Sequence, residues 1–122
     1  MKFLVIDDSR TMRRIMCNAL NEIGYEDIEE AEDGRDALRL LEEGPFDFVI
    51  TDWNMPNMNG LELTHSIRNH PTYQALPILM VTTRGMKEDV FAAMKARVNN
   101  YLVKPFTAKL LREKIDMILK VQ

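Results

Sequence analysis

Five polar side chains stand at the ends of short strand-like runs. Asp7 and Asp8 follow Phe3-Leu4-Val5-Ile6, and Asp52 follows the run from Phe46 to Thr51. Thr82 closes Ile78-Leu79-Met80-Val81, and Lys104 follows the run from Asn99 to Val103. Three carboxylates brought within a few ångströms repel one another strongly unless positive charge is supplied. A lysine supplies one charge. A hard divalent cation supplies the rest, and Mg²⁺ suits a site of carboxylates and waters that leaves room for phosphate oxygens. A carboxylate is a competent nucleophile toward phosphorus, giving an aspartyl phosphate. The charge on a transferring phosphoryl group is stabilised by a cation and an ammonium. Taken singly, each residue has an ordinary reading: Asp7, Asp8 and Ser9 as helix caps, Asp52 as a turn acid, Thr82 as a strand-end hydroxyl, Lys104 as a solvated charge. Their joint placement, one functional group per strand end, favours the chemical reading. For Tyr101, core packing and a functional role both stand.

These residues converge only if the elements deliver them to one edge. The first run is apolar throughout, as in a strand buried on both faces. Asp8 or Ser9 is placed to cap a helix whose stripe is Met12, Ile15, Met16, Ala19, Leu20 and Ile23, with Gly24 at its C-terminal end. A weaker strand with acids, Asp27 to Ala31, suggests a sheet edge, and Glu32-Asp33-Gly34 reads as a turn. Ala37, Leu38 and Leu41 mark a short helix closed by Gly44-Pro45. Trp53 to Gly60 is a loop, and Leu61 to about Asn69 a third helix. Thr83 to Gly85 is a loop, Lys87 to about Ala96 a fourth helix. Thr107 caps a fifth, with Leu110, Leu111, Ile115, Ile118 and Leu119 as its apolar stripe. Five strands alternating with five helices predict an α/β fold, an open parallel sheet covered on both faces. Ligands of such sheets bind beyond the carboxyl ends of the strands.

The 122 residues are expected to form one domain. With 46% hydrophobic and 29% charged residues the composition is that of an ordinary soluble protein. No apolar run approaches the ~20 residues of a membrane span, and the N-terminus meets acids too soon for a secretory signal, so a cytoplasmic location is expected. A net charge of −3 with mixed signs argues against nucleic-acid binding. The single Cys17 lies on a predicted helix stripe and is expected to be a buried thiol. His65, His70 and one cysteine make a poor zinc set.

Val5-Ile6-Asp7-Asp8-Ser9, Thr51-Asp52-Trp53-Asn54-Met55-Pro56, Met58-Asn59-Gly60, Val81-Thr82 and Lys104-Pro105-Phe106 resemble the receiver signature of response regulators, in order along the whole chain. Within that family, Thr11-Met12-Arg13-Arg14-Ile15 and the stretch from Asn100 to Thr107 are similar to the single-domain chemotaxis regulators. The resemblance implies a flavodoxin-like (βα)5 sheet of strand order 2-1-3-4-5. It implies that Asp52 accepts a phosphoryl group from a histidine kinase, and that Mg²⁺ is held by Asp7, Asp8, Asp52 and the backbone carbonyl of Asn54. Lys104 would pair with the phosphoryl group. Thr82 and Tyr101 would form a switch in which the hydroxyl moves to the phosphate and the ring turns inward. The Lys104–Pro105 bond would be cis. The output surface would lie on the fourth helix, fifth strand and fifth helix, with Tyr101 at the edge. Met86, Val90 and Met94 lie at four-residue spacing on or near the fourth helix; if they share one exposed face they offer apolar contacts framed by Lys87 and Lys114, and the alternative is that they pack in the core. The implied partners are a chemotaxis histidine kinase, the flagellar motor switch protein and, further, a phosphatase, with the chain a monomer. Such a protein promotes its own phosphorylation and dephosphorylation and is not a turnover enzyme.

Two positions depart from the family pattern. Arg97 stands where a glycine is usual, and a non-glycine residue with φ > 0 costs about 1 kcal/mol or more, so either Arg97 is strained or the fourth helix ends differently. Arg84, two residues after Thr82, replaces a common acid close to the phosphorylation site and bears on the lifetime of the phosphoryl group. A phosphorelay intermediate or another stand-alone receiver is the alternative within the family. A haloacid-dehalogenase-type phosphatase would place its two aspartates two apart after the first strand, whereas here they are adjacent; turnover of small phosphomonoesters separates the two. A flavin carrier would need a hydroxyl- and glycine-rich loop there, where Asp7 and Asp8 repel phosphate; bound yellow cofactor would reveal it.

Overall fold

The computed structural model describes residues 1–120. Strands and helices alternate throughout: β1 (Phe3–Ile6), α1 (Arg10–Ile23), β2 (Ile28–Ala31), α2 (Gly34–Glu43), β3 (Phe48–Thr51), α3 (Gly60–Arg68), β4 (Ile78–Thr82), α4 (Lys87–Lys95), β5 (Asn100–Val103) and α5 (Ala108–Lys120). The five strands form one parallel sheet in the order β2-β1-β3-β4-β5. This is the flavodoxin-like arrangement, with the acid-bearing β2 at an edge and β1 beside β3. No helix among the described residues is long and apolar enough to cross a membrane.

The period-2 geometry of the strands splits the core in two. Phe3, Val5, Phe48, Ile50, Leu79, Val81 and Leu102 face α1 and α5, where Met16, Leu20, Leu111, Ile115 and Ile118 meet them. Leu4, Ile6, Val49, Ile78, Met80 and Tyr101 face the other way, onto Ala37, Leu41, Leu63, Ile67 and Ala93 of α2, α3 and α4. Tyr101 is therefore a core residue on the side that carries α4. Two expected stripe residues, Ile15 and Leu110, are exposed. They sit at the margins of their stripes, and a helix packed on one layer buries only an arc. Cys17 is half-buried, and burial pushes its thiol up to about 11.

Helix ends follow local chemistry. The Ser9 hydroxyl accepts the Met12 N–H at the start of α1, and Gly24, at φ +117°, closes it. Asn59 and Glu62 form a capping box on α3. The end of α4 resolves the Arg97 question. The Arg97 N–H donates to the Met94 carbonyl and the Val98 N–H to the Ala93 carbonyl, the paired bonds of a Schellman ending. Arg97 takes the left-handed position at φ +78°. Its carbonyl is held by two donors of buried Arg68, Nε at 3.0 Å and Nη2 at 2.9 Å; the same guanidinium also reaches the carbonyls of Gln74 and Leu76 and the Asn99 side chain. Arg68 thus ties the α3–β4 loop to the α4–β5 turn, and burial pulls it below its ordinary pKa, the Arg97 charge adding to this. Arg97→Gly should be neutral or stabilising by up to about 1 kcal/mol, since it removes a left-handed penalty without touching the carbonyl that Arg68 binds. A lowered denaturation midpoint in Arg97→Gly would contradict this account of the turn.

Candidate functional site

The ladder of the sheet continues one residue past three strands, and this fixes the backbones from which the polar residues project. The Asp7 N–H donates to the Ala31 carbonyl at 3.1 Å, the Asp52 N–H to the Ile6 carbonyl at 2.9 Å, and the Lys104 N–H to the Thr82 carbonyl at 2.9 Å. Lys104 Nζ then bridges two carboxylates, donating to Asp7 Oδ2 at 2.8 Å and Asp52 Oδ2 at 3.1 Å. The second oxygen of each carboxylate is also held. Asp7 Oδ1 accepts the Ser9 N–H at 2.9 Å, and Asp52 Oδ1 accepts the Trp53 N–H at 2.6 Å. Arg13 donates to the Asp7 carbonyl and to Glu30, anchoring the start of α1 to the sheet edge. The Lys104–Pro105 bond is cis.

Oxygens of Asp7, Asp8 and Asp52 lie within 4.8 Å of one another. Three carboxylates against one ammonium leave the cluster with excess negative charge. Burial pushes the Asp7 carboxyl up from its usual range, and the bonds from Lys104 and Ser9 do not fully offset it. Burial alone would lower Lys104, but Asp7 and Asp52 outweigh it and hold the ammonium above its ordinary value. An all-oxygen, over-negative set at the mouth of a strand switch point fits Mg²⁺, which Asp7, Asp8 and Asp52 would hold; when bound it would neutralise phosphoryl oxygens.

The loop after Asp52 is fastened at both ends. Gly60 returns it, its N–H donating to the Trp53 carbonyl at 2.8 Å. A Cβ on Gly60 would collide with the Asp52 carbonyl oxygen, so the loop passes the site at a distance that admits only glycine. At its tip, Asn57 adopts φ +67° and donates through Nδ2 to Asp33 Oδ2 at 2.7 Å, while the Gly34 N–H donates to the Met58 carbonyl. The Asp36 N–H, then Asn57, hold the Asp33 carboxyl below the usual carboxylate range. Asn54, whose carbonyl the resemblance places on the metal, sits on this loop with an exposed side chain.

The other expected residues divide. Thr82 is fully buried, and its Oγ1 lies 3.4 Å from the Arg84 N–H. Tyr101 is only 7% exposed, with its hydroxyl donating to the Arg84 carbonyl at 2.8 Å. The ring that the resemblance would turn inward on activation is already inward. On the expected output surface, Met86 and Met94 are exposed, as is Lys87, but Val90 packs against the core beside α4. Met86 is the N-cap of α4 and precedes its first turn, so four-residue spacing from Met86 does not define a helix face. Lys114 is half-buried, its Nζ 3.5 Å from Asn100 Oδ1.

Sequence reasoning missed three features. Phe91, 70% exposed, is the largest apolar side chain on α4's open surface; its place between Lys87 and Met94 at helical spacing was the available signal. The Asp33–Asn57 tie joins residues far apart in sequence. The third is the set of contacts made by Arg84. Its guanidinium lies 4.4 Å over the Trp53 ring, donates to Asn54 Oδ1 at 3.2 Å and pairs with Asp89 at 3.0 Å.

The model of the response regulator receiver domain matches residues 3–116. The chain belongs to that family, and its parallel sheet and carboxylate–lysine cluster agree with it. It is 51% identical over 120 residues to chemotaxis protein CheY1 of Helicobacter pylori, covering 98% of this chain and 97% of that protein. It is 48% identical over 120 residues to chemotaxis protein CheY-3 of Vibrio cholerae, covering 98% and 92%. Among solved structures, the chemotaxis response regulator CheY4 of Vibrio cholerae superposes with a TM-score of 0.88 at 36% identity, covering 96% of this chain and 97% of that one.

Proposed function

We propose that this chain is a chemotaxis response regulator that accepts a phosphoryl group on Asp52 from a histidine kinase and, once activated, binds the flagellar motor switch. The observation that carries the reading is the Lys104 ammonium bridging Asp7 and Asp52, with Asp8 beside them, at adjoining strand ends. High identity to chemotaxis proteins over nearly the full length of both chains supports the choice of pathway. A cytoplasmic location follows from that role.

In this reading the Asp52 carboxylate attacks the phosphorus of a phosphohistidine. An O–P bond forms as the N–P bond breaks, and the electron pair of that bond goes to the imidazole. The Trp53 N–H and Lys104 orient the two Asp52 oxygens before attack. Lys104 then pairs with a phosphoryl oxygen as negative charge moves outward from the cluster. Asp7 and Asp8 with Asp52, and the Asn54 carbonyl, would hold Mg²⁺, which would neutralise charge on the transferring group. Thr82 bonds the phosphoryl group, and with Tyr101 reports it to the surface of Met86, Lys87, Phe91, Met94 and Lys114. Activation is thus a local charge event that biases a two-state element.

The direct test is phosphotransfer. A chemotaxis histidine kinase carrying radiolabelled phosphate should pass its label to the wild-type chain in Mg²⁺ and keep it in excess chelator. A labelled kinase that retains its phosphate in both conditions would refute the reading.

A further inference from the structure

Arg84 joins three parts of the molecule that have no covalent reason to move together. Its side chain spans from the loop after Asp52, through Asn54 Oδ1 and the Trp53 face, to Asp89 in the first turn of α4. Its backbone carbonyl accepts the Tyr101 hydroxyl, and its N–H lies against Thr82 Oγ1. The carbonyl that Tyr101 needs is therefore positioned by a side chain anchored on either side of it. Arginine suits the task because one guanidinium offers several donors in a fixed plane and also stacks on an aromatic face. Lysine offers a point charge and could not make the same three contacts at once.

We propose that Arg84 is a positioning residue that pins the β4–α4 loop so that the Tyr101 ring is held inward before any phosphoryl group arrives. The inference rests on the reading of Thr82 and Tyr101 as the switch, and it concerns how that switch is set at rest. A ring already inward populates the output-competent arrangement in advance. Phosphorylation of Asp52 then has a smaller shift left to produce, because a ligand moves an equilibrium only by its differential affinity for the two states. Arg84 sets the resting population through the loop, and α4 is tied to the same point through Asp89.

The bland alternative is that Tyr101 is inward because it packs in the core beside Met80 and Ala93, whatever Arg84 does. Fluorotyrosine incorporation with ¹⁹F NMR separates the two, the Tyr101 signal being assigned by Tyr101→Phe. Burial pushes the Tyr101 phenol up to about 12, so alkaline titration of the same signal gives a second readout. In the wild-type protein at rest the signal should be largely solvent-shielded, and adding Mg²⁺ and beryllofluoride should produce only the smaller remaining shift. In Arg84→Ala it should become solvent-exposed at rest, titrate closer to an ordinary tyrosine, and return to the shielded position with beryllofluoride. Asp89→Ala, which removes one anchor away from Asp52, should move the resting signal in the same direction by a smaller amount. Melting curves establish that both variants are folded. A ring that stays shielded and titrates as in wild type in both folded variants would overturn the proposal, as would an exposed ring in resting wild type. The resting measurements need no phosphoryl group, so they decide this point even if Asp52 proves not to be the acceptor.

Discussion

Asp8→Ala protein is expected to bind Mg²⁺ at least about tenfold more weakly than wild type while unfolding, without metal, at the same or a slightly higher temperature, since one of three mutually repelling carboxylates is gone. The separation of the two effects comes from where Asp8 sits. It is exposed, and among the described residues no hydrogen bond or ion pair engages its side chain. Substitutions at such positions change stability by less than about 0.5 kcal/mol. Its carboxylate nonetheless lies within 4.8 Å of those of Asp7 and Asp52, and removing even a residue that only supports a metal ligand costs about 10–100-fold in affinity. Trp53 adjoins the cluster, so its fluorescence should report the metal. Stabilisation by Mg²⁺ follows mass action, so the wild-type melting temperature should rise with Mg²⁺ and that of Asp8→Ala should lag. Equal Mg²⁺ titrations for the two proteins would remove Asp8 from the site.

Gly60→Ala is expected to destabilise the fold by about 3 kcal/mol or more and to disable the site in whatever protein survives. The added methyl would meet backbone, the Asp52 carbonyl oxygen, which has no side-chain freedom with which to yield. Overpacking of a well-filled position costs about 1–3 kcal/mol and occasionally more, and here the relief would also pull apart the Gly60 N–H to Trp53 carbonyl bond that closes the loop. For a domain of this size the loss corresponds to a fall in melting temperature of about 10 °C or more. Gly44→Ala is the control, since a Cβ there meets nothing within 4 Å. If Gly60→Ala melted like Gly44→Ala, the close passage of the loop over Asp52 would be wrong.

Much of this was legible in the sequence because two periodicities do not mix. Strands buried on both faces read as unbroken apolar runs, and the residues just beyond them, Asp7, Asp8, Asp52 and Lys104, stood out as polar against that background. The acids of β2 marked it as an edge. The boundaries were less legible: Phe46 is buried but precedes β3, because apolar burial and strand pairing are separate properties. The stripe readings overreached at Ile15 and Leu110, since hydrophobic spacing gives a face and the neighbouring layer decides how wide an arc is covered. Met86 misled for a related reason, standing before the helix whose period was being counted.

What the sequence hid are side chains that act on distant backbone. Arg68 holds the Arg97 carbonyl 29 residues on, and so a left-handed arginine stands where glycine was expected. Asn57 and Asp33 meet because β2 and β3 flank β1 in one parallel sheet, so the loops that follow them leave at the same edge. Arg84 was visible as an odd residue near the site, but its partners Asn54, Trp53 and Asp89 come together only in three dimensions. Long polar side chains carry no periodic signature, so their partners are set by topology.

Asp52 as the phosphoryl acceptor of a Mg²⁺-dependent site can be read from intact-mass spectrometry after incubation with acetyl phosphate. Wild-type protein in Mg²⁺ should gain the mass of one phosphoryl group, borohydride reduction should place the modification on the peptide containing Asp52, and both excess chelator and Asp52→Asn should abolish the gain. Undiminished phosphoryl incorporation in folded Asp52→Asn protein would contradict the account.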